Sequence, residues 1–94
     1  MSILVRYMNS WGKQVYEQVI DKDPTKENLR KEKYLIQSIG PPAGWGIVSA
    51  ELVPLVLNNT GENEVPLDSL PNWKDTDQWK KSGILFFEFE PEQY

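Results

Sequence analysis

Hydrophobic and polar positions change period several times along this chain. Ser2 to Met8 is rich in β-branched and aromatic residues, and the pattern predicts a strand. Trp11, Val15, Tyr16, Val19 and Ile20 follow at spacings that fit one stripe of an amphipathic helix, with a hairpin partner strand as the competing reading. The helical stripe is preferred, and it puts Trp11 in the core. Asp23-Pro24 then offers a capping acceptor followed by Pro at a first helical position, so a polar helical turn is expected over Thr25 to Glu32. Tyr34 to Ile39 reads as a second strand.

The segment from Gly40 to Gly46 interrupts both periods, with Pro41, Pro42, Gly44 and Trp45 between its end glycines. Neither helix nor strand tolerates that density of Pro and Gly, so a loop around one Trp is expected. Ile47 to Leu57 is the most apolar stretch and predicts a strand or two, with Pro54 pointing to an edge or a bulge. Asn58 to Glu64 is a polar, acidic turn. Asn72, Asp75, Lys80, Lys81 and Gly83 sit where a helix cap, a dipole-matched first and last turn and a C-terminal stop belong. Ile84 to Glu90 then predicts a strand with Leu85, Phe87 and Phe89 on one face. The order strand, helix, strand, strand, helix, strand points to a small two-layer α+β sandwich. A split βαβ, ferredoxin-like arrangement is the leading topology. All 94 residues are read as a single domain, with 91–94 frayed at the end.

Composition narrows the chemistry more than the fold. The chain has no His and no Cys. Thiolate nucleophiles, disulfides and the usual His or Cys metal sites are therefore out of reach, and no side chain titrates near neutrality unperturbed. Catalysis would rest on carboxylates, Lys or Tyr with displaced pKa values, so a non-enzyme is expected, without cofactor or metal. The net charge of −4 divides into +2 over residues 1–50 and −6 over 51–94. The one basic cluster, Lys22, Lys26, Arg30, Lys31 and Lys33, is interrupted by Asp23, Glu27 and Glu32 and reads as a solvated helix face rather than a nucleic-acid footprint. No apolar run approaches the ~20 residues of a membrane span. The expected compartment is the cytoplasm, with no membrane and no nucleic-acid partner.

Three motif readings fail on residue detail. The Gly40–Gly46 loop lacks a following Lys-Ser/Thr and has two residues without an amide hydrogen, so it does not match a phosphate cradle. Asp21, Asp23, Thr25 and Glu32 have calcium-loop spacing, yet Lys26 stands where the sharp turn needs Gly. Glu88 and Glu90 share a strand face and cannot flank a sugar from two sides.

Four Trp in a chain this size, at 11, 45, 73 and 79, are the most unusual feature. Trp73 and Trp79 lie six apart on a short helix, about 120° around its axis, so one of them is part-exposed. Trp45 is either a lid folded onto the core or an exposed contact. The sequence thus suggests a non-catalytic protein–protein interaction module, an accessory or regulatory subunit or an inhibitor. Its contact residues are Pro41, Pro42, Gly44, Trp45, Gly46, Trp73 and Trp79. The alternative is a regulatory domain that binds a small molecule, and a third reading makes the acidic second half a nucleic-acid mimic. Oligomeric state is open.

Overall fold

In β1 (Ile3–Asn9) the alternation is real: Ile3, Val5 and Tyr7 point to one side of the sheet, Leu4 and Arg6 to the other. The computed structural model describes residues 1–44 and 46–90. β1 turns back directly into β2 (Gln14–Ile20), antiparallel, with Ile3 opposite Ile20 and Tyr7 opposite Tyr16 and an irregularity at Met8. The segment read as a helix carrying Trp11 is therefore the second strand of a hairpin. Trp11 sits in its turn, 85% exposed, and is no part of the core.

α1 (Lys26–Ile39) is one continuous helix, so the expected strand over Tyr34 to Ile39 is instead its second half. Thr25, rather than Asp23, is the cap: its hydroxyl accepts a hydrogen bond from the Asn28 amide at 3.1 Å. Gly40 closes the helix at φ +89°, its amide bonded to the Ile36 carbonyl. Leu29 and Ile36 bury the inner face together with Glu32, whose carboxylate is held by Lys22 at 2.6 Å.

β3 (Ile47–Leu57) is a single central strand, with β1 on one side and β5 (Leu85–Glu88) on the other. The three-residue β4 (Glu64–Pro66) pairs with its far end, Leu55 to Leu57. Backbone direction follows from three hydrogen bonds. Leu55 donates towards β1 (to Ser2), Val48 accepts from Phe89 beyond β5, and Asn58 donates to Asn63 beyond β4. Even-numbered residues of β3 thus turn their backbone groups away from β1, and β5 and β4 lie end to end along that far side. Pro54, expected at an edge or bulge, is tolerated in this central strand because its missing N–H falls between Leu52, the last partner of β5, and Leu55, the first of β4.

Among the described residues the result is a small α+β fold with a five-stranded antiparallel sheet and two α-helices. From β1 on the elements run strand, strand, helix, strand, strand, helix, strand, one strand more than the expected order. β2 and β3 both run antiparallel to β1, which lies between them, so β2–α1–β3 is a crossover split around one strand. α1 covers one face through Ile3, Val5, Tyr7, Leu29, Ile36, Leu52 and Phe87. A second cluster, Leu4, Val53, Leu55, Val56 and Leu67, is covered by Leu70, Trp73, Trp79 and Ile84. Leu4 and Val53 face away from α1, so part of the second sheet face has a cover of its own, from two 3₁₀ turns (Leu67–Ser69, Trp73–Asp75) and α2 (Asp77–Ser82). α2 is capped by Thr76 rather than Asn72, and Asn72 instead takes a left-handed backbone at φ +56° before the Trp73 turn. Among the described residues no helix is long and apolar enough to cross a membrane.

Candidate functional site

The β1–β2 turn is built around one side chain. Asn9 Oδ1 accepts hydrogen bonds from the Trp11 amide at 3.0 Å and the Lys13 amide at 3.1 Å. The Asn9 backbone amide donates to the Lys13 carbonyl, and its carbonyl accepts from Gly12, at 3.0 and 2.9 Å. Asn9 itself is buried, and Gly12 supplies the positive φ (+75°) that the tight reversal needs. Local bonding therefore fixes the backbone of Trp11 while its indole stays in water.

The Gly/Pro loop arrives at the same end of the molecule. Pro41 shares with Asn9, Ser10, Gly12, Glu88 and Glu90 an open concavity of about 690 Å³. Pro41 and Pro42 also close one end of a groove of about 600 Å³ between α1 and β2, whose walls include Tyr7, Gln18, Leu35 and Ile39. Ile39, on the last turn of α1, is 83% exposed, and Tyr34 and Leu35 are exposed on the same helix. In the groove floor the Tyr7 hydroxyl donates to Gln18 Oε1 at 3.2 Å. Burial, with Tyr16 close by, pushes the Tyr7 phenol above its ordinary pKa, so it stays neutral at physiological pH.

On the opposite sheet face Arg6 is the only charged side chain of β1. It donates to Asp68 through two nitrogens, at 2.6 and 2.9 Å, and to Glu51 at 3.1 Å. These bonds raise the Arg6 pKa further, and the Arg6 hydrogen bond holds the Asp68 carboxyl below its usual range. The triad ties the Leu67–Ser69 turn to the sheet.

The residues singled out in the sequence do not form one surface. Pro41, Gly44 and Gly46 are exposed and Pro42 half-buried, at the end shared with the β1–β2 turn. Trp45 lies outside the described residues. Trp73 and Trp79 pack edge to face, centroids 4.9 Å apart, over Leu4, Val53 and Leu67. They are not on one helix: Trp73 belongs to a 3₁₀ turn and Trp79 to α2. Both are half-buried, with core work to do, and they stand apart from the loop. Trp11, assigned to the core from the sequence, is exposed instead. Its signal was present: Asn9 followed three residues on by Gly12, between two runs rich in Val, Ile and Tyr, is a hairpin pattern.

No family model matches the chain, and neither a curated protein nor a solved structure matches it.

Proposed function

We propose that this protein is a non-catalytic protein-binding module whose contact surface is the β1–β2 turn with the adjoining end of α1. The observation that carries the reading is Trp11, 85% exposed on a backbone fixed by Asn9. Trp is enriched among the residues that dominate interface energies, and a backbone already held in place leaves only the side chain to be ordered on docking. Pro41 adds apolar surface against the turn that carries Trp11, Ile39 is exposed at the neighbouring end of α1, and Glu88 and Glu90 give the concavity an acidic rim. The fitting partner is a protein with an indole-sized apolar pocket and basic residues around it. In this role the protein acts as an accessory subunit or inhibitor, and its proposed compartment is the cytoplasm.

Comparing Trp11→Ala with the wild type as bait in the native host tests this. A partner held by the wild type and lost by the variant supports the reading, provided the variant's Tm stays within about 3 °C. A partner retained at equal yield removes Trp11 from the contact and sinks the proposal. The groove between α1 and β2 favours a second reading, because its volume of about 600 Å³ falls in the ordinary range for small-molecule sites. A thermal-shift screen of amino acids, nucleotides and sugars answers it, since a ligand bound well above its Kd raises Tm by mass action.

A further inference from the structure

The two long sides of the sheet end differently. On one side lie β5, four residues with Glu88 at its end, and β4, three residues ending in Pro66. Both are short, and a charge and a Pro discourage further pairing. On the other side lies β2, seven residues with no Pro and no Gly and with Glu17 as its one charge, whose Tyr16 and Val19 are exposed large side chains. The backbone direction established for β3 carries across the sheet. Ser2 accepts from Leu55, so even residues of β1 bond β3 and odd ones bond β2. Ile3, Val5 and Tyr7 thus take up the backbone groups of Ile20, Gln18 and Tyr16, leaving the N–H and C=O of Glu17 and Val19 directed outward. α1 does not overhang this edge, because the open groove of about 600 Å³ separates it from β2.

We propose that a second copy of this chain pairs with β2, antiparallel about a two-fold axis at Gln18, to make one continuous ten-stranded sheet. Charge selects the register. An axis at Glu17 would set two Glu17 carboxylates face to face, and an axis at Val19 would set Glu17 against Asp21. An axis at Tyr16 would engage the irregular Val15 in place of Val19. With the axis at Gln18, Glu17 lies opposite Val19 of the second copy and exchanges both backbone hydrogen bonds with it, twice over by symmetry. Tyr16 lies opposite Ile20, and beyond the strand ends Lys13 comes opposite Asp23, so no like charges stand directly opposite one another and one pair is complementary. The two α1–β2 grooves then join into a single cleft over the axis, with Leu35 and Ile39 of both copies in its walls. Trp11 lies beyond the paired stretch.

Sedimentation velocity from about 1 μM to about 1 mM, the range in which small interfaces dissociate, tests this on the full chain. The expected result is a shift with concentration from 10.9 kDa to twice that mass. Because the chain has no Cys, a single Gln18→Cys variant reads the register without background. It should cross-link to a dimer on oxidation, and Glu17→Cys should do so far less, since the two 17 positions are diagonal across the axis. Val19→Asp places a carboxylate opposite Glu17 on both sides and should give monomer. Adding Glu17→Lys to that variant should restore the dimer, which a mere loss of folding would not allow. A wild type that stays monomeric to 1 mM overturns the proposal, as does a Glu17→Cys cross-link at least as efficient as that of Gln18→Cys.

Discussion

Arg6 shows how one side chain can hold a turn to a sheet. It lies opposite Glu51 in the strand register and reaches Asp68 through both terminal nitrogens, at low exposure for all three groups. An exposed pair of this kind contributes about 1 kcal/mol at most, while breaking a buried one costs about 3–5 kcal/mol. A partly buried triad falls between, so Arg6→Ala should lose about 2 kcal/mol in urea unfolding. A loss below about 0.5 kcal/mol would show that solvent screens the triad completely. Asp68 gives the same contact a pH signature. Its folded pKa is depressed below the unfolded value of about 3.9, so the contribution to stability is complete above that value and disappears as pH falls through the lower folded one. Thermal melts between about pH 5 and pH 2 should therefore fall more steeply in the wild type than in Asp68→Asn. Gly12 sets the other residue-scale expectation. A Cβ there meets nothing within 4 Å, but φ is +75°. Gly12→Ala should cost about 1 kcal/mol through backbone strain alone, and Gly12→Asn less, since Asn tolerates that region.

At the scale of elements, α1 divides into a face that stabilises and a face that does not. Leu29 is 1% exposed and Ile39 83% exposed, ten residues further along the same helix. Leu29→Ala should lose about 3 kcal/mol on chemical unfolding, and Ile39→Ala should lie within about 0.5 kcal/mol of the wild type. Equal losses would mean that α1 packs differently. The same helix explains why its second half looked like a strand in the sequence. Its buried stripe is Leu29, Glu32, Ile36, so a carboxylate occupies the middle of the apolar period, held there by Lys22. Exposed Tyr34, Leu35 and Ile39 supply the residue types of a sheet instead. β2 misled in the opposite sense. As an edge strand it has both faces largely in water, so no alternation betrays it, and its apolar residues fall by accident on a helical spacing. β5 was legible because Phe87 is buried and Phe86 exposed, a clean period of two. Pro54 was not, since its tolerance depends on where two other strands stop.

For the whole molecule, amide exchange should rank the strands by their neighbours. β1 and β3 have a strand on each side and should exchange slowest. The outward amides of Glu17 and Val19 should exchange fast in dilute solution and slow together as concentration rises, and uniform protection along β2 at every concentration would contradict this. The apolar pattern anticipated the α+β class. The site was harder to read, since an exposed Trp and a core Trp are the same letter until the turn around Asn9 is known. One feature of the sheet also governs how the chain assembles. β3 takes its neighbours from both directions of the sequence, Glu51 bonding Arg6 45 residues earlier and pairing with Phe86 well downstream. During synthesis the β1–β2 hairpin is complete early but must wait for β3 to gain a core. β3 in turn keeps one bare edge until β5 is free to pair with it. The nascent chain passes through a stage in which its most apolar strand is half covered, and the handover from ribosome to native sheet is when this protein is most exposed to mispairing.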